Sequence, residues 1–199
     1  MEPIHYPIET RVRDGRQVKI RPIEPGDFQA MLDFFRGLRE DDRRYLRNDV
    51  TDPAAVQRYV TNADNTWLVG LLAEASGQVV GTGSLEPEHH RWTAHVGEIR
   101  LVVATDWQRH GLGTVLSDLL VRHAMALGLE KVMARVVDGQ HGAELALTRL
   151  GFVREAVLRR HVQDITGRRR DLIIYSNDVS HVWERLEQMV ADFSPMRLD

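Results

Sequence analysis

The stretch from His95 to Leu127 limits the possible folds more than any other part of this chain. His95 to Ala104 is nearly continuous in apolar character at Ile99, Leu101, Val102 and Val103, the pattern of a central strand covered on both faces. Gly111 and Gly113 follow. From Gly113 to Leu127, Val115, Leu116, Leu119, Leu120 and Ala124 recur at helical spacing, and Gly128 closes the helix. A strand turning through glycines into a helix puts unpaired N–H groups and the positive end of a helix dipole just beyond the strand. That is an anion cradle, and a diphosphate fits it without a lysine. Gly111 and Gly113 have no Cβ to hold a ligand away from the backbone, and Thr114 adds a hydroxyl donor.

Other glycine loops fail on named residues. A Walker-type loop needs Gly-Lys-Ser/Thr, yet no lysine lies between Lys19 and Lys131. A dinucleotide fingerprint needs a third glycine where Leu116 stands, and it follows the first strand of a βαβ unit, not a run of antiparallel strands. On the glycines alone, a ligand-free helix-capping turn remains open.

Before this segment, Val12, Val18 and Ile20 alternate with charged residues about Asp14-Gly15, which predicts two short strands between Thr10 and Ile23. Pro25-Gly26-Asp27 stops the second and caps a helix carrying Phe28, Met31, Leu32, Phe35 and Leu38; Asp52-Pro53 opens another with Val56, Tyr59 and Val60. Thr66–Glu74 and Gln78–Glu86 read as an antiparallel pair, followed by a polar loop from Pro87 to Thr93. After the central segment come a strand at Lys131–Val137 and a helix at Gln140–Leu150. A closing hairpin of Phe152–Val162 and Leu172–Ser176 then turns at Thr166-Gly167. The order is ββααββ, then βαβα, then ββ, an α/β (α+β) class. Residues 1–178 form one expected domain. Residues 179–199 carry Val182, Trp183, Leu186, Met189 and Val190 on one face of a terminal amphipathic helix, expected to pack on the domain or on a partner.

At 199 residues the chain suits one core, and its formal net charge of −3 supplies no global basic field for nucleic acid or an anionic membrane. The absence of cysteine removes disulfides, thiolate nucleophiles and Cys-ligated metal. Met1 to Thr10 lacks the form of a signal peptide, and no segment approaches the roughly 18 apolar residues of a membrane span. A soluble, cytoplasmic protein is expected. His89 and His90, with Glu86 and Glu88, have no zinc-type spacing, so a polar loop is expected and no metal. Arg159, Arg160, Arg168, Arg169 and Arg170 fit a solvated strand edge better than an acidic-substrate dock.

Gln108-Arg109-His110-Gly111-Leu112-Gly113-Thr114 matches the Gln/Arg-x-x-Gly-x-Gly/Ala pattern of the Gcn5-related N-acetyltransferase (GNAT) superfamily, and Leu150-Gly151-Phe152 is similar to that family's last turn. Arg13-Asp14-Gly15, Ile20 to Asp27 and Arg43-Arg44-Tyr45-Leu46-Arg47 resemble the acetyltransferase domain of bacterial protein lysine acetyltransferases, as does the spacing of Glu98 from Trp107-Gln108. The resemblance implies a central mixed, mostly antiparallel sheet flanked by helices. It implies acetyl-CoA as co-substrate, with its diphosphate held by the amides of Gln108 to Thr114 and its acetyl group passed to a protein lysine or a small amine. Homodimers are common in the superfamily. The thioester would lie along Leu101, Val102 and Val103, with an N–H near Val102 or Val103 facing the oxyanion. That placement requires the sheet to splay after this strand.

From spacing alone Glu98 is either a general base or a glutamate paired with Arg100 or a loop arginine; the resemblance implies the base. Gln140 and Leu147 occupy slots where many relatives carry an asparagine and a thiolate-protonating tyrosine. Gln140, Ala143 and Arg149 complete the implied coenzyme surface, although Arg149 also suits a solvated helix face. Leu147 cannot donate a proton, which keeps open a weakly catalytic acyl-CoA sensor that acts through its terminal helix.

Overall fold

Period-two burial builds one eight-stranded sheet. The computed structural model describes residues 4–63, 68–164 and 166–191. Its strands are β1 (Ile8–Arg11), β2 (Gln17–Pro22), β3 (Val69–Ala75), β4 (Gln78–Pro87), β5 (Val96–Val103), β6 (Lys131–Val137), β7 (Val153–Gln163) and β8 (Arg169–Asp178). They lie in the order β1-β2-β3-β4-β5-β6-β8-β7. Every neighbouring pair is antiparallel except β5 and β6, which run parallel. The helices are α1 (Phe28–Gly37), α2 (Glu40–Arg43), α3 (Pro53–Ala63), α4 (Leu112–Ala126), α5 (His141–Arg149) and α6 (Val179–Ala191).

Side chains alternate across β5 into two cores. Ile99 joins a cluster with Leu112, Leu116, Leu119 and Leu120 of α4. Val102, on the opposite face, packs against Met31, Leu32 and Phe35 of α1 and Val56 and Val60 of α3. Leu116 and Leu120 are 0% exposed, and burial of such a side chain stabilises by about 1.5–3 kcal/mol. Close seating of α4 depends on β4: a Cβ on Gly83 would stand 2.8 Å from Leu101 Cδ2 and 3.0 Å from Leu120 Cδ1. α6 packs on α4, burying Val182 and Leu186 fully, while the Arg122 guanidinium lies 4.5 Å above the Trp183 ring.

The sheet opens at its parallel pair. β5 and β6 are in register only at Val96, Gly97 and Glu98, whereas β4 follows β5 all the way to Val103. The expected splay is therefore present, beginning just past Glu98.

Several local expectations change. The single turn of α2 leaves no signal in the sequence, because its four polar residues carry no apolar period. Asp27 occupies the N-cap position of α1 but makes no side-chain cap; its carboxylate accepts hydrogen bonds from Arg21 at 2.6 and 2.7 Å and from Glu24 N at 2.8 Å. β8 begins at Arg169, earlier than Leu172, so part of the arginine run lies inside a strand. This is tolerated because β7 is an edge strand exposed along nearly all its length. β3 starts at Val69; Thr66, Trp67 and the 192–199 end of the expected terminal helix lie outside the described residues. No described helix is long and apolar enough to cross a membrane.

Candidate active site

At the C-terminal ends of β5 and β6 each strand feeds a helix, β5 through Gly111 into α4 and β6 through Gln140 into α5. Two helix N-termini thus face the mouth of one crevice, the place where α/β sheets hold ligands. Gly111 caps α4 with φ 93°, and Arg109 takes φ 64°, so two left-handed residues flank His110. No side chain caps the helix, which leaves the N–H groups of Leu112, Gly113 and Thr114 directed outward. A Cβ built on Gly113 meets nothing within 4 Å, so this surface is open to a ligand. Leu112 is fully buried and anchors the turn from below, offering only its amide. These residues fit a diphosphate.

A brace unanticipated from sequence holds the loop. Arg13 N donates to His110 O at 2.8 Å, and His110 Nδ1 stands 3.1 Å from Asp14 Oδ2. Arg16 donates to Asp106 O at 3.0 Å and lies 3.8 Å above the Trp107 ring. Gln108 Nε2 donates to Val103 O at 3.1 Å, tying the loop to its strand. The residues of the β1–β2 turn signalled a hairpin, but nothing local reveals a partner so far along the chain.

The phase of the ladder decides which amides face the crevice. Ala104 N donates to Val80 O at 3.0 Å and Glu88 N to Val96 O at 2.9 Å, so even-numbered residues of β5 turn their N–H and C=O groups toward β4. Ile99, Leu101 and Val103 turn theirs to the open side. Of the two amides expected near the oxyanion, Val103's faces the opening and Val102's does not. Val102 instead lines a hollow with its side chain.

On the β6 side, Gln140 is the N-cap residue of α5 and its Oε1 accepts from Val137 N at 2.8 Å, which leaves its amide N–H groups to donate. Ala143 is half-buried one turn on; Leu147 packs partly buried on the core. Arg149 is exposed at the far end of α5, about 13 Å along the axis from Gln140. The α2 segment spans the mouth. Asp42 accepts from Thr105 Oγ1 at 2.6 Å beside β5, while the Tyr45 hydroxyl would lie 3.5 Å from a Cβ on Gly139 beside β6.

Glu98 sits where the two strands part, 4% exposed. Arg100 Nε donates to its Oε1 at 3.0 Å, and Arg135 Nη1 stands 3.5 Å from its Oε2. The pairing with Arg100, left open by the spacing, is therefore made. Directly across the ladder stands Glu86, whose carboxylate accepts from Arg100 Nη2 at 2.6 Å and Nη1 at 3.4 Å. One guanidinium clamps two carboxylates. Burial works against the charge of Arg100, but Glu98 and Glu86 outweigh it and raise its pKa above the usual arginine value. In sequence Glu86 groups with the His89-His90 loop; the register of the β4–β5 hairpin is the signal that places it opposite Glu98. Among the described residues no group of His, Asp and Glu is arranged to hold a metal ion.

Two adjoining hollows lie on the α3 side of β4 and β5. One of about 220 Å³ is lined by Arg58, Tyr59, Asn62, Glu86 and Arg100 among others. The other, about 100 Å³, shares Tyr59 and Arg100 with it and reaches Thr82, Ser84 and Val102. Tyr59 donates or accepts across 3.2 Å to Thr82 Oγ1, and burial pushes its hydroxyl pKa up. The arginines of the β7–β8 hairpin are divided: Arg170 pairs with Asp164 at 3.3 Å, whereas Arg159 reaches Asp171 only at 3.7 Å and is largely in solvent.

Comparison with known proteins bears on the chemistry. The chain is 27% identical over 150 residues to the acetyltransferase Pat of Mycolicibacterium smegmatis, covering 74% of this chain and 44% of that protein. It thus spans less than half the length of that relative. Solved structures of the same fold include Mycobacterium smegmatis RimJ in complex with CoA-disulfide (18% identity, TM-score 0.76, 94% of each chain covered). The GNAT domain of S. lividans PAT is another (19% identity, TM-score 0.74, 89% of this chain and 99% of that one). A third is the ribosomal-protein-alanine N-acetyltransferase of Brucella melitensis (23% identity, TM-score 0.69, 80% of this chain and 98% of that one). The profile of the acetyltransferase (GNAT) family matches residues 31–152, from α1 through the cradle to the end of α5, and the chain belongs to that family.

Proposed function

We propose that this acetyl-CoA-dependent N-acetyltransferase passes its acetyl group to the side-chain amine of a protein lysine. The carrying observation is the uncovered face beside Glu98. α1 and α3 lie over β3 and β4, while Arg135 of β6 is exposed and β7 is open along nearly its whole length. A lysine on a folded protein needs such an approach. One neighbour of the same fold is named for acetylating an alanine of a ribosomal protein, which supports a protein acceptor.

In this reading the amides from Gln108 to Thr114 hold the coenzyme diphosphate, and the side-chain amide of Gln140 and the open edge of β5 align the arm between the strands. The Val103 N–H faces the carbonyl oxygen as it gains charge. A lysine amine has a pKa near ~10.4, so about one in ~10³ is neutral at pH 7, a handicap of ~4–5 kcal/mol. Glu98, buried behind Arg100, takes the proton through a water molecule. Nitrogen bonds to the carbonyl carbon and loses its second proton to solvent, the carbon–sulfur bond breaks, and the thiolate leaves. Leu147 has no proton for it, so the sulfur is protonated from solvent.

The hollow of about 220 Å³ favours a second reading, a small-molecule amine as acceptor. Release of CoA thiol from acetyl-CoA against lysine peptides, polyamines and free amino acids separates the two. Peptide-dependent release supports the first reading, and release with small amines alone supports the second. Coenzyme binding without release to any acceptor would sink both in favour of a sensor.

A further inference from the structure

The hollow beside the reacting strand has an unusual charge balance. α3 presents Ala55, Arg58, Tyr59 and Asn62 to it, one helical stripe, while Val56 and Val60 of the same helix enter the core. The charged residues lining the two hollows are Arg47, Arg58, Arg100 and Glu86. Glu86 is already held by Arg100 at 2.6 Å, with Arg47 a further 3.8 Å from the same oxygen. Glu98 has Arg135 in addition to Arg100. Four arginines thus face two glutamates, and Arg58 makes no ion pair among the described residues.

An ammonium gains nothing from such a place. The excess positive charge favours the neutral amine, which the chemistry requires, but it also removes the electrostatic attraction that would draw a lysine in. Docking must draw on another part of the acceptor. From the free guanidinium of Arg58 at the mouth, with Arg47 beside the same space, we infer that the site recognises a carboxylate, supplied by an acidic side chain next to the acetylated lysine. Arg58 is then a specificity-determining residue. This deepens the protein-lysine reading and rests on it.

The test uses pairs of lysine peptides identical except that the flanking residues are Asp and Glu or their amides Asn and Gln. CoA release is followed with wild type, Arg58→Gln and Arg58→Glu, and binding of the matching acetyl-lysine peptides is measured by calorimetry. Wild type should prefer the acidic peptide by about tenfold in kcat/KM, the scale of one charge-assisted hydrogen bond, mostly through KM, and the preference should shrink with added salt. It should fall to within about threefold in Arg58→Gln and reverse in Arg58→Glu. Equal use of both peptides by wild type overturns the inference, as does a preference that survives Arg58→Gln. Free amino acids preferred over amines without a carboxylate, with no such effect in peptides, would assign the carboxylate to a small acceptor and also overturn it. Acidic peptides bound preferentially but never acetylated would instead sink the catalytic reading and leave the carboxylate site standing.

Discussion

Gly113→Ala separates stability from coenzyme binding, because the two effects have opposite signs. Gly113 lies in the first turn of α4 with no positive φ, and a Cβ there meets no atom within 4 Å. In the free protein the methyl adds no strain. Removing the backbone freedom of glycine should stabilise by about 0.5–1 kcal/mol, which for a chain of this size raises Tm by roughly 1–4 °C. If the diphosphate is held at the helix amides as proposed, that open space is where it would lie, and the methyl stands in it. CoA affinity should fall at least about tenfold, ~1.4 kcal/mol. Gly111→Ala is the contrast: at φ 93° an alanine costs roughly 1–2 kcal/mol, so Tm falls. Thermal unfolding with and without saturating CoA reads both quantities in one assay. A Gly113→Ala protein that melts higher and keeps its full shift with CoA would show that the diphosphate is not held at this turn. Damage to the fold cannot imitate the expected result, since the variant is more stable than wild type.

Three further outcomes are expected. Glu98→Gln should lower kcat/KM by about 10² or more, with residual activity rising roughly tenfold per pH unit as amine deprotonates; a rate within threefold of wild type removes Glu98 as base. Thr105→Val deletes the 2.6 Å bond to Asp42 and should speed hydrogen–deuterium exchange of residues 40–47, so unchanged exchange would mean that α2 is not tied to β5 by this contact. In the β7–β8 turn, hydrogen bonds from Thr166, Arg168 and Arg170 draw the Asp164 pKa down from 3.8 to about 2. The stabilisation is present above pH 3.8 and lost as pH falls toward 2. Amide shifts of residues 166–168 should move in that window in wild type but not in Asp164→Asn, and a wild-type turn indifferent to it refutes the assignment.

The parts of this fold that were legible in sequence are those whose cause is local. The apolar run of β5, the glycine turn and the helical period of α4 each depend on residues within one or two turns of one another, and each is where the spacing put it. The hairpins follow from Gly15 and Gly167, both at positive φ. Even the arginine run makes local sense once β7 is seen to be an edge, because a strand open to solvent on both faces accepts charges that would end an interior one.

The site's decisive features are non-local, and this explains what was missed. The splay is a statement about how far β5 stays in register with β6, across a helix and two loops, and no residue of β5 records it. Whether Val102 or Val103 offers its amide depends on ladder phase, fixed by one bond from Ala104 to Val80; shifting that phase by one residue would exchange their roles. Glu98 shows the same limit for charge. Its spacing allowed a base or a partner of Arg100; in the folded chain the pairing with Arg100 is made, with Glu86 on the other side of the same guanidinium. A buried carboxylate paired with two arginines and the proposed role of Glu98 as base are not competing descriptions. In the proposed reaction the clamp would fix where the proton is received, and the surplus arginines would favour the neutral amine as it arrives.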